Sequence, residues 1–261
     1  IKDYLTGVVA AEMPALYETE ALKAQAVAAY TYYIWLKENA DNADFSISGN
    51  SNVHQGYLTD EQMKEKWGNK YESYKKKIED AVLSVMGECI IYEGQPIMAV
   101  YHAISSGKTL SAKTVWGEDL PYLQSVNAVG DKLSPDFEAA QAYTQAEMIN
   151  LLSLKNKKGN LIEKIDTDEN GYVTEITLGG KSFSGYEFSS LTSLRSPVFT
   201  AEYEEDGYVF SVIGYGHGVG MSQSGANHYA KQGMDYQEIL HHYYTDVDIE
   251  KIEDRDDPPK T

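Results

Sequence analysis

The stretch "TEALKAQAVAAYTYYIWLK", residues 19 to 37, constrains this chain more than any other. Ala21, Ala24, Ala26, Ala28 and Ala29 are the residue type that loses least on entering a helix, and Leu22, Val27, Ile34 and Leu36 supply apolar positions. A helix over residues 18 to 39 follows. Just before it, "DYLTGVVAAEM", residues 3 to 13, reads as a shorter apolar helix, with Asp3 as N-cap and Pro14 as its stop. Glu12 therefore lies at a helix end, between two helices. It is either one of 40 acidic residues on a solvated surface, or an acid/base held at the mouth of a cleft. The residues alone leave both readings open.

The rest of the chain changes character twice. Residues 59 to 67 and 70 to 86 read as helices, and Thr59 with Gln62 has capping-box spacing. The intervening "DNADFSISGNSNVHQGY" is rich in turn formers and reads as a long excursion. "CIIYEGQPIMAVYHA" reads as two strands joined at "EGQP". "GYVTEITLGGKSFSG" and "FTAEYEEDGYVFSVIGYG" read as hairpins turning at Gly179-Gly180 and Asp206-Gly207. Thr144 with Glu147 and Asp235 with Glu238 cap two further helices, and Gly233 suits the C′ position after "SQSGANHYAKQ". Helices, then mixed strands, then helices predict an α+β fold. The expected architecture is one domain over residues 1 to 252, a helical core carrying Glu12 and packed with β-hairpins. Residues 142 to 194 are a candidate inserted subdomain. The charged, Pro-rich tail "EDRDDPPKT", residues 253 to 261, is expected to be disordered.

Composition removes several function classes. A net charge of −18 argues against nucleic acid, whose phosphates need clustered Lys and Arg, and against an anionic lipid surface. No apolar run reaches the 18 or so residues that span a membrane. Cys89 is the one cysteine, so neither an internal disulfide nor a Cys-rich metal site is available, and in "GECIIYEG" it reads as a small buried hydrophobe. The 21 tyrosines against six phenylalanines offer flat rings with polar tips, suited to carbohydrate or peptide, or reflect compositional bias of the source. A chain that opens on Ile1 is expected to be a processed piece, with any signal or anchor upstream.

Three stretches carry candidate chemistry. Lys23 and Tyr30 are seven apart and share a helix face with Val27 between them, while Gln25 is expected to face elsewhere. Folded back at Pro14, that face would bring a lysine and a phenol near Glu12. A partly buried glutamic acid with a raised pKa can protonate the leaving oxygen of a glycoside. Hydrolytic glycosidases use a second carboxylate, and spacing points to none. In residues 101 to 126, "YHAISSGKTLSAKTVWGEDLPYLQSV", His102, Ser105 and Ser106 could serve sugar hydroxyls or an oxyanion, or simply close a solvated hairpin. Its "SSGKT" lacks the G-x-x-x-x-G-K pattern, which excludes a phosphate loop. In residues 214 to 226, "GYGHGVGMSQSGA", glycines surround His217 and let the backbone turn tightly or approach a neighbour. The stretch leads into a helix near Ser222, whose free N–H groups face whatever sits there. His241 and His242 lack the i, i+4 spacing of a helical metal pair, and His54 and His228 are isolated.

Taken together, "YLTGVVAAEMPALYETEALKAQAVAAYTY", "GQPIMAVYHAISSGKTLSAKTVWGEDLPYLQSV", "SLTSLRSPVF" and "GYGHGVGMSQSGANHYAKQG" resemble the SpoIID/LytB family, over most of residues 3 to 252. The resemblance implies a lytic transglycosylase that cuts peptidoglycan glycan between N-acetylmuramic acid and N-acetylglucosamine, leaving a 1,6-anhydro sugar. Strands whose stem peptides an amidase has removed would be preferred. It implies Glu12 as acid/base and Lys23 as the residue that orients or charges it. Tyr30, His102, Ser105, Ser106, His217 and Gln223 would line the glycan cleft, with no cofactor. Two departures stand out. The family reads "AART" where this chain has "AAYT", and a phenol at Tyr30 cannot supply the arginine's charge. Ser224 stands where the family often carries tyrosine. Some members hold zinc through Cys and His, but no cysteine lies in residues 101 to 126, so no such site is expected here.

The implied setting is engulfment during sporulation, in the space between mother cell and forespore. The protein would be held there by an upstream membrane helix, with stage II sporulation proteins P and M as partners. Two other readings stand beside it. One is a non-catalytic glycan-binding module that stimulates a cell-wall amidase, which Tyr30 favours. The other is a metal-dependent hydrolase built on His102 and His217.

Overall fold

The structure, a computed structural model, describes residues 1–40, 55–155, 159–205 and 207–252. Its architecture is α+β. The chain opens on α1 (Lys2–Glu12) and α2 (Thr19–Glu38), close to the expected bounds. Met13 ends α1 in extended backbone, at φ −119° and ψ 144°, because the residue before a proline is pushed out of the helical region. Tyr17 N then donates to Pro14 O at 2.9 Å, and this tight turn delivers the chain into α2. Asp3 does not cap α1. Ile1 holds the cap position without a side-chain bond, while Asp3 lies within the first turn, 3.1 Å from Lys2 Nζ, where its charge still complements the helix dipole.

Helices α3 (Asp60–Trp67) and α4 (Tyr71–Ser84) follow. The capping boxes expected at Thr59/Gln62, Thr144/Glu147 and Asp235/Glu238 are all formed, and Ser184/Glu187 adds another. Helix α2 is the centre of the larger core. Ala21, Ala24 and Ala28 are fully buried, and their small side chains let α1, α4 and the two C-terminal helices come close. Leu5, Val8, Leu22, Ile34, Ile78, Ile239 and Leu240 fill the space between them.

The strand pattern departs from expectation at its first hairpin. Strand β1 (Glu88–Tyr92) turns into β2 (Gln95–Pro96), but the pairing stops there instead of running on through Tyr101. Pro96 has no N–H to donate, and the tight turns Ala99 N to Ile97 O and Val100 N to Met98 O take up the next backbone groups. The following strand, β3 (Tyr101–His102), leaves that sheet altogether.

A second core lies between Met148 and Val212 in sequence and centres on Phe188, Phe199 and Phe210, whose ring centroids are 5.3–5.6 Å apart. It is enclosed by β4 (Glu138–Thr144), β8 (Phe199–Glu204) and β9 (Gly207–Ile213) in one sheet, ordered β4-β9-β8. Strands β5 (Ile162–Thr167), β6 (Val173–Leu178) and β7 (Lys181–Phe183) form the other. The β6–β7 hairpin turns at Gly179 and Gly180, both at positive φ, as the Gly-Gly signal predicts. The β8–β9 hairpin also forms, and Asp206 in its turn lies outside the described residues. Helices α5 (Ala112–Trp116), α6 (Gln145–Leu151) and α7 (Gly185–Thr192) complete the middle of the chain.

Strand β10 (Met221–Ser222) leads into α8 (Gln223–Lys231), then α9 (Tyr236–Tyr243) and β11 (Asp248–Lys251), which pairs with β1. Gly233, at φ +97°, donates its N–H to Ala230 O just past α8, as expected. The excursion over residues 41 to 54 and the tail from residue 253 lie outside the described residues. Among the described residues no helix is long and apolar enough to cross a membrane.

Candidate active site

Two loops distant in sequence are laced together to build the site. Strands β3 and β10 pair in parallel, Tyr101 with Met221 and His102 with Ser222. The lacing continues through Ile104 N to Tyr215 O at 3.0 Å, Tyr215 N to Ile104 O at 2.7 Å, and Leu110 N to Gly218 O at 2.7 Å. Glycine is required for this closeness. A Cβ on Gly220 would lie 2.1 Å from Val100 O, and one on Gly216 2.8 Å from His102 Cβ, and both positions have positive φ. The glycine run therefore serves close backbone approach. It ends at Ser222, which caps α8 by accepting from Gly225 N at 3.1 Å.

The first residue of α8 reaches Glu12. Gln223 Nε2 donates to Glu12 Oε2 and to Gln25 Oε1, each at 3.3 Å. Glu12 Oε1 accepts from Gly56 N at 2.5 Å, and any Cβ at that position would stand 2.8 Å from the same oxygen. Burial pushes the Glu12 pKa above the ordinary carboxylic value, against the pull of the Gly56 and Gln223 donors and the Lys66 charge. Lys66 itself is anchored by donating to Ala10 O at 3.1 Å. The result is a carboxyl fixed through both oxygens, with its pKa raised by burial.

Glu12 opens on a cleft of about 470 Å³, whose walls include Gln223, Tyr17, Asp136, Arg195 and Tyr215. Arg195 lies between α7 and β8. It donates from Nη2 to Asp136 O at 2.9 Å, its guanidinium lies 4.5 Å from the Tyr215 ring centroid, and its own carbonyl accepts from Gly216 N at 2.7 Å. Behind the cleft, Asp131 is fully buried. Its Oδ2 accepts from Ser105 N at 2.7 Å and Ser105 Oγ at 2.6 Å, and its Oδ1 accepts from Ser222 Oγ at 2.8 Å. This carboxylate ties the 105 loop to the residue preceding Gln223. Burial raises its pKa, opposed first by the Ser105 and Ser222 hydrogen bonds.

The residues singled out in the sequence fall into separate groups. Glu12 and Gln223 meet. Lys23 does not join them: its Nζ pairs with Glu20 Oε1 at 2.7 Å and lies 5.7 Å from the Tyr236 ring centroid, on the far side of α2. Gln25, expected to face elsewhere, is the α2 residue that turns inward, and it is fully buried. Tyr30 is only 3% exposed and stacks on Tyr33 inside the helical core, so its ring is packing and not cleft wall. Ser105 is buried against Asp131, and Ser106 is half-buried beside it.

The rings of His102 and His217 have centroids 5.7 Å apart, and Trp116 lies 5.3 Å from His217. His102 Nδ1 donates to Val219 O, and His217 Nδ1 accepts from Val219 N at 3.1 Å. Burial lowers their pKa values to about 3 and about 4, so both are neutral braces of the loop at ordinary pH. Among the described residues no group of three or more His, Cys, Asp or Glu side chains is arranged to hold a metal ion. Gly56, Asp131, Asp136 and Arg195 were not singled out from sequence. Only Arg195 left a signal there, as one of two arginines and inside "SLTSLRSPVF".

A half-buried carboxylic acid on an open cleft, braced by a glycine-rich loop, defines a class of site, and comparison with known proteins gives it a family. A model of the SpoIID family, described as stage II sporulation protein, matches residues 1–92. The chain is 35% identical over 257 residues to stage II sporulation protein D of Bacillus subtilis (strain 168), covering 97% of this chain and 75% of that one. It is 35% identical over 260 residues to stage II sporulation protein D of Bacillus amyloliquefaciens, with the same coverage. The chain belongs to the SpoIID family. It is also 27% identical over 297 residues to a Bacillus subtilis protein named amidase enhancer, across 92% of this chain and 39% of that one.

Proposed function

We propose that this protein is a peptidoglycan lytic transglycosylase acting in sporulation, with Glu12 as its one acid/base. The observation that carries the reading is the Glu12 carboxyl itself. It is held by Gly56 and Gln223, raised in pKa by burial, and open to a cleft. Protonated, it donates to the glycosidic oxygen as the C1–O bond breaks. The resulting carboxylate accepts the proton of the C6 hydroxyl as O6 closes onto C1. Glu12 regains its proton, no water is consumed, and the product is a 1,6-anhydro sugar. One carboxyl can therefore perform both halves of the reaction. Tyr17 and Tyr215 offer ring faces to the sugars.

Lys23 acts at one remove. Its partner Glu20 accepts from Tyr236 N at 3.1 Å, so the ion pair ties α2, which carries Gln25, to the start of α9. His102, Ser105 and His217 hold the loops whose far end carries Gln223. The setting is extracytoplasmic, between mother cell and forespore, with stage II sporulation proteins P and M as partners and a membrane tether upstream.

A second reading is a glycan binder that stimulates an amidase. The similarity to the amidase enhancer favours it. Incubating peptide-free glycan strands with the parent and with Glu12→Gln, then taking mass spectra, separates the two. Anhydro-muramic ends from the parent alone support the enzyme. Strands bound equally by both proteins and cut by neither leave the binder.

A further inference from the structure

We propose that Arg195 reads the lactyl carboxylate of N-acetylmuramic acid, and so is the residue behind the preference for peptide-stripped strands that the family resemblance implies. This rests on the reading of the cleft as a glycan site.

The chain carries 40 acidic and 22 basic residues, and only two of the latter are arginines. One of the two stands on the cleft wall shared with Glu12. Among the described residues no carboxylate forms an ion pair with it. Asp136 is beside it, yet Arg195 takes the Asp136 backbone oxygen. In a protein of net charge −18, a guanidinium that faces a cleft with no ion-pair partner among the described residues is a candidate anion site.

The fork is also oriented in advance. The guanidinium carbon lies 4.5 Å from the Tyr215 ring centroid, Nη2 is held by Asp136 O, and the Arg195 backbone is held by Gly216 N. A planar group held by a ring and a hydrogen bond, on an anchored backbone, loses little freedom on binding, which favours a flat carboxylate over a diffuse negative surface.

The chemistry of the glycan supplies one such group. N-acetylmuramic acid differs from N-acetylglucosamine by a lactyl ether. In the intact wall the lactyl carboxyl is a neutral amide joined to the stem peptide. Amidase cleavage of that bond leaves a free carboxylate on every second sugar, the one anionic group of a stripped strand. Seating it on Arg195 admits stripped strands and disfavours peptide-bearing ones. Because the two sugars alternate, it also sets which glycosidic linkage lies over Glu12.

The test uses the described protein with Glu12→Gln, so that strands bind without being cut, and two probes. One is a peptide-free N-acetylglucosamine–N-acetylmuramic acid oligomer, and the other is the same oligomer with every lactyl carboxyl converted to its methylamide. The carboxylate oligomer should bind at least about tenfold tighter. That ratio should fall toward one when Arg195→Gln is added, with Arg195→Lys between. A ratio near one without any change at Arg195 overturns the proposal and needs no further variant. So does an unchanged ratio in Arg195→Gln, even if both affinities fall, since that marks a mere clamp on Asp136 and Tyr215. Cleavage by the Glu12 parent is scored separately from anhydro ends. Failure of the transglycosylase reading therefore leaves the ratio interpretable, and failure of the ratio leaves the enzyme standing.

Discussion

Gln223 and Glu12 lie 211 positions apart in the chain, and their side chains meet at 3.3 Å. The other Gln223 N–H is committed to Gln25 Oε1, which keeps the amide from rotating away. Since a hydrogen bond to a carboxylate favours its charged form, this donor works against the burial that raises the Glu12 pKa. Gln223→Leu removes it at similar volume. The Glu12 pKa should then rise further, and the alkaline fall in cleavage, where the acid form is lost, should move to higher pH. The rate should drop about 10–100-fold, the size of one lost hydrogen bond to a charged group. A pH–rate profile on peptide-free strands checks both.

Glu12→Gln should abolish formation of anhydro ends by at least about 10²-fold, as loss of a general acid/base does. The same variant makes a stability prediction. Burial raises the folded-state pKa of Glu12 above its ordinary 4.5. Stability from this group is therefore fully present below the unfolded value and lost as pH rises through the folded value. The neutral glutamine escapes that loss. Glu12→Gln should melt above the parent at neutral pH, and the gap should close on acidification toward 4.5. Thermal melts at several pH values read this directly.

Asp131→Ala would strand Ser105 N, Ser105 Oγ and Ser222 Oγ without their acceptor in a fully buried site. The expected cost is about 2–4 kcal/mol, seen as a lower urea midpoint. Because Ser222 precedes Gln223, the variant that still folds should also lose cleavage. Asp131→Asn keeps one acceptor oxygen and should lose less of both.

Tyr30→Arg tests the family's arginine position. Tyr30 is 3% exposed and stacked on Tyr33, so a guanidinium there is carried into the helical core. The variant should lose about 2–4 kcal/mol by denaturant melt and gain no cleavage activity. A rise in activity with stability intact would instead give Tyr30 a place in the substrate path.

Short-range physics made much of this molecule legible in its sequence. The bounds of α1 and α2, the break at Pro14, three capping boxes and the Gly179-Gly180 turn all rest on residues within a few positions of one another. The importance of the run from Gly214 to Gly220 was legible too, because only glycine takes such backbone so readily. Which partner it approaches was not. β3 abandons its expected hairpin for β10 because an available edge far along the chain outweighs a local turn beside Pro96. The inward face of α2 was equally hidden. From Leu22 to Ile34 that helix is buried almost all round, so no polar stripe marks a solvent side, and periodicity could group Lys23 with Tyr30 but not say where either points. Packing turned Gln25 inward, sent Lys23 to Glu20, and closed Asp131 and Arg195 onto loops they adjoin only in space. Helix propensity and capping act between chain neighbours and can be read from them. A site assembled from residues 12, 25, 56, 195 and 223 exists only after tertiary packing has chosen which surfaces meet.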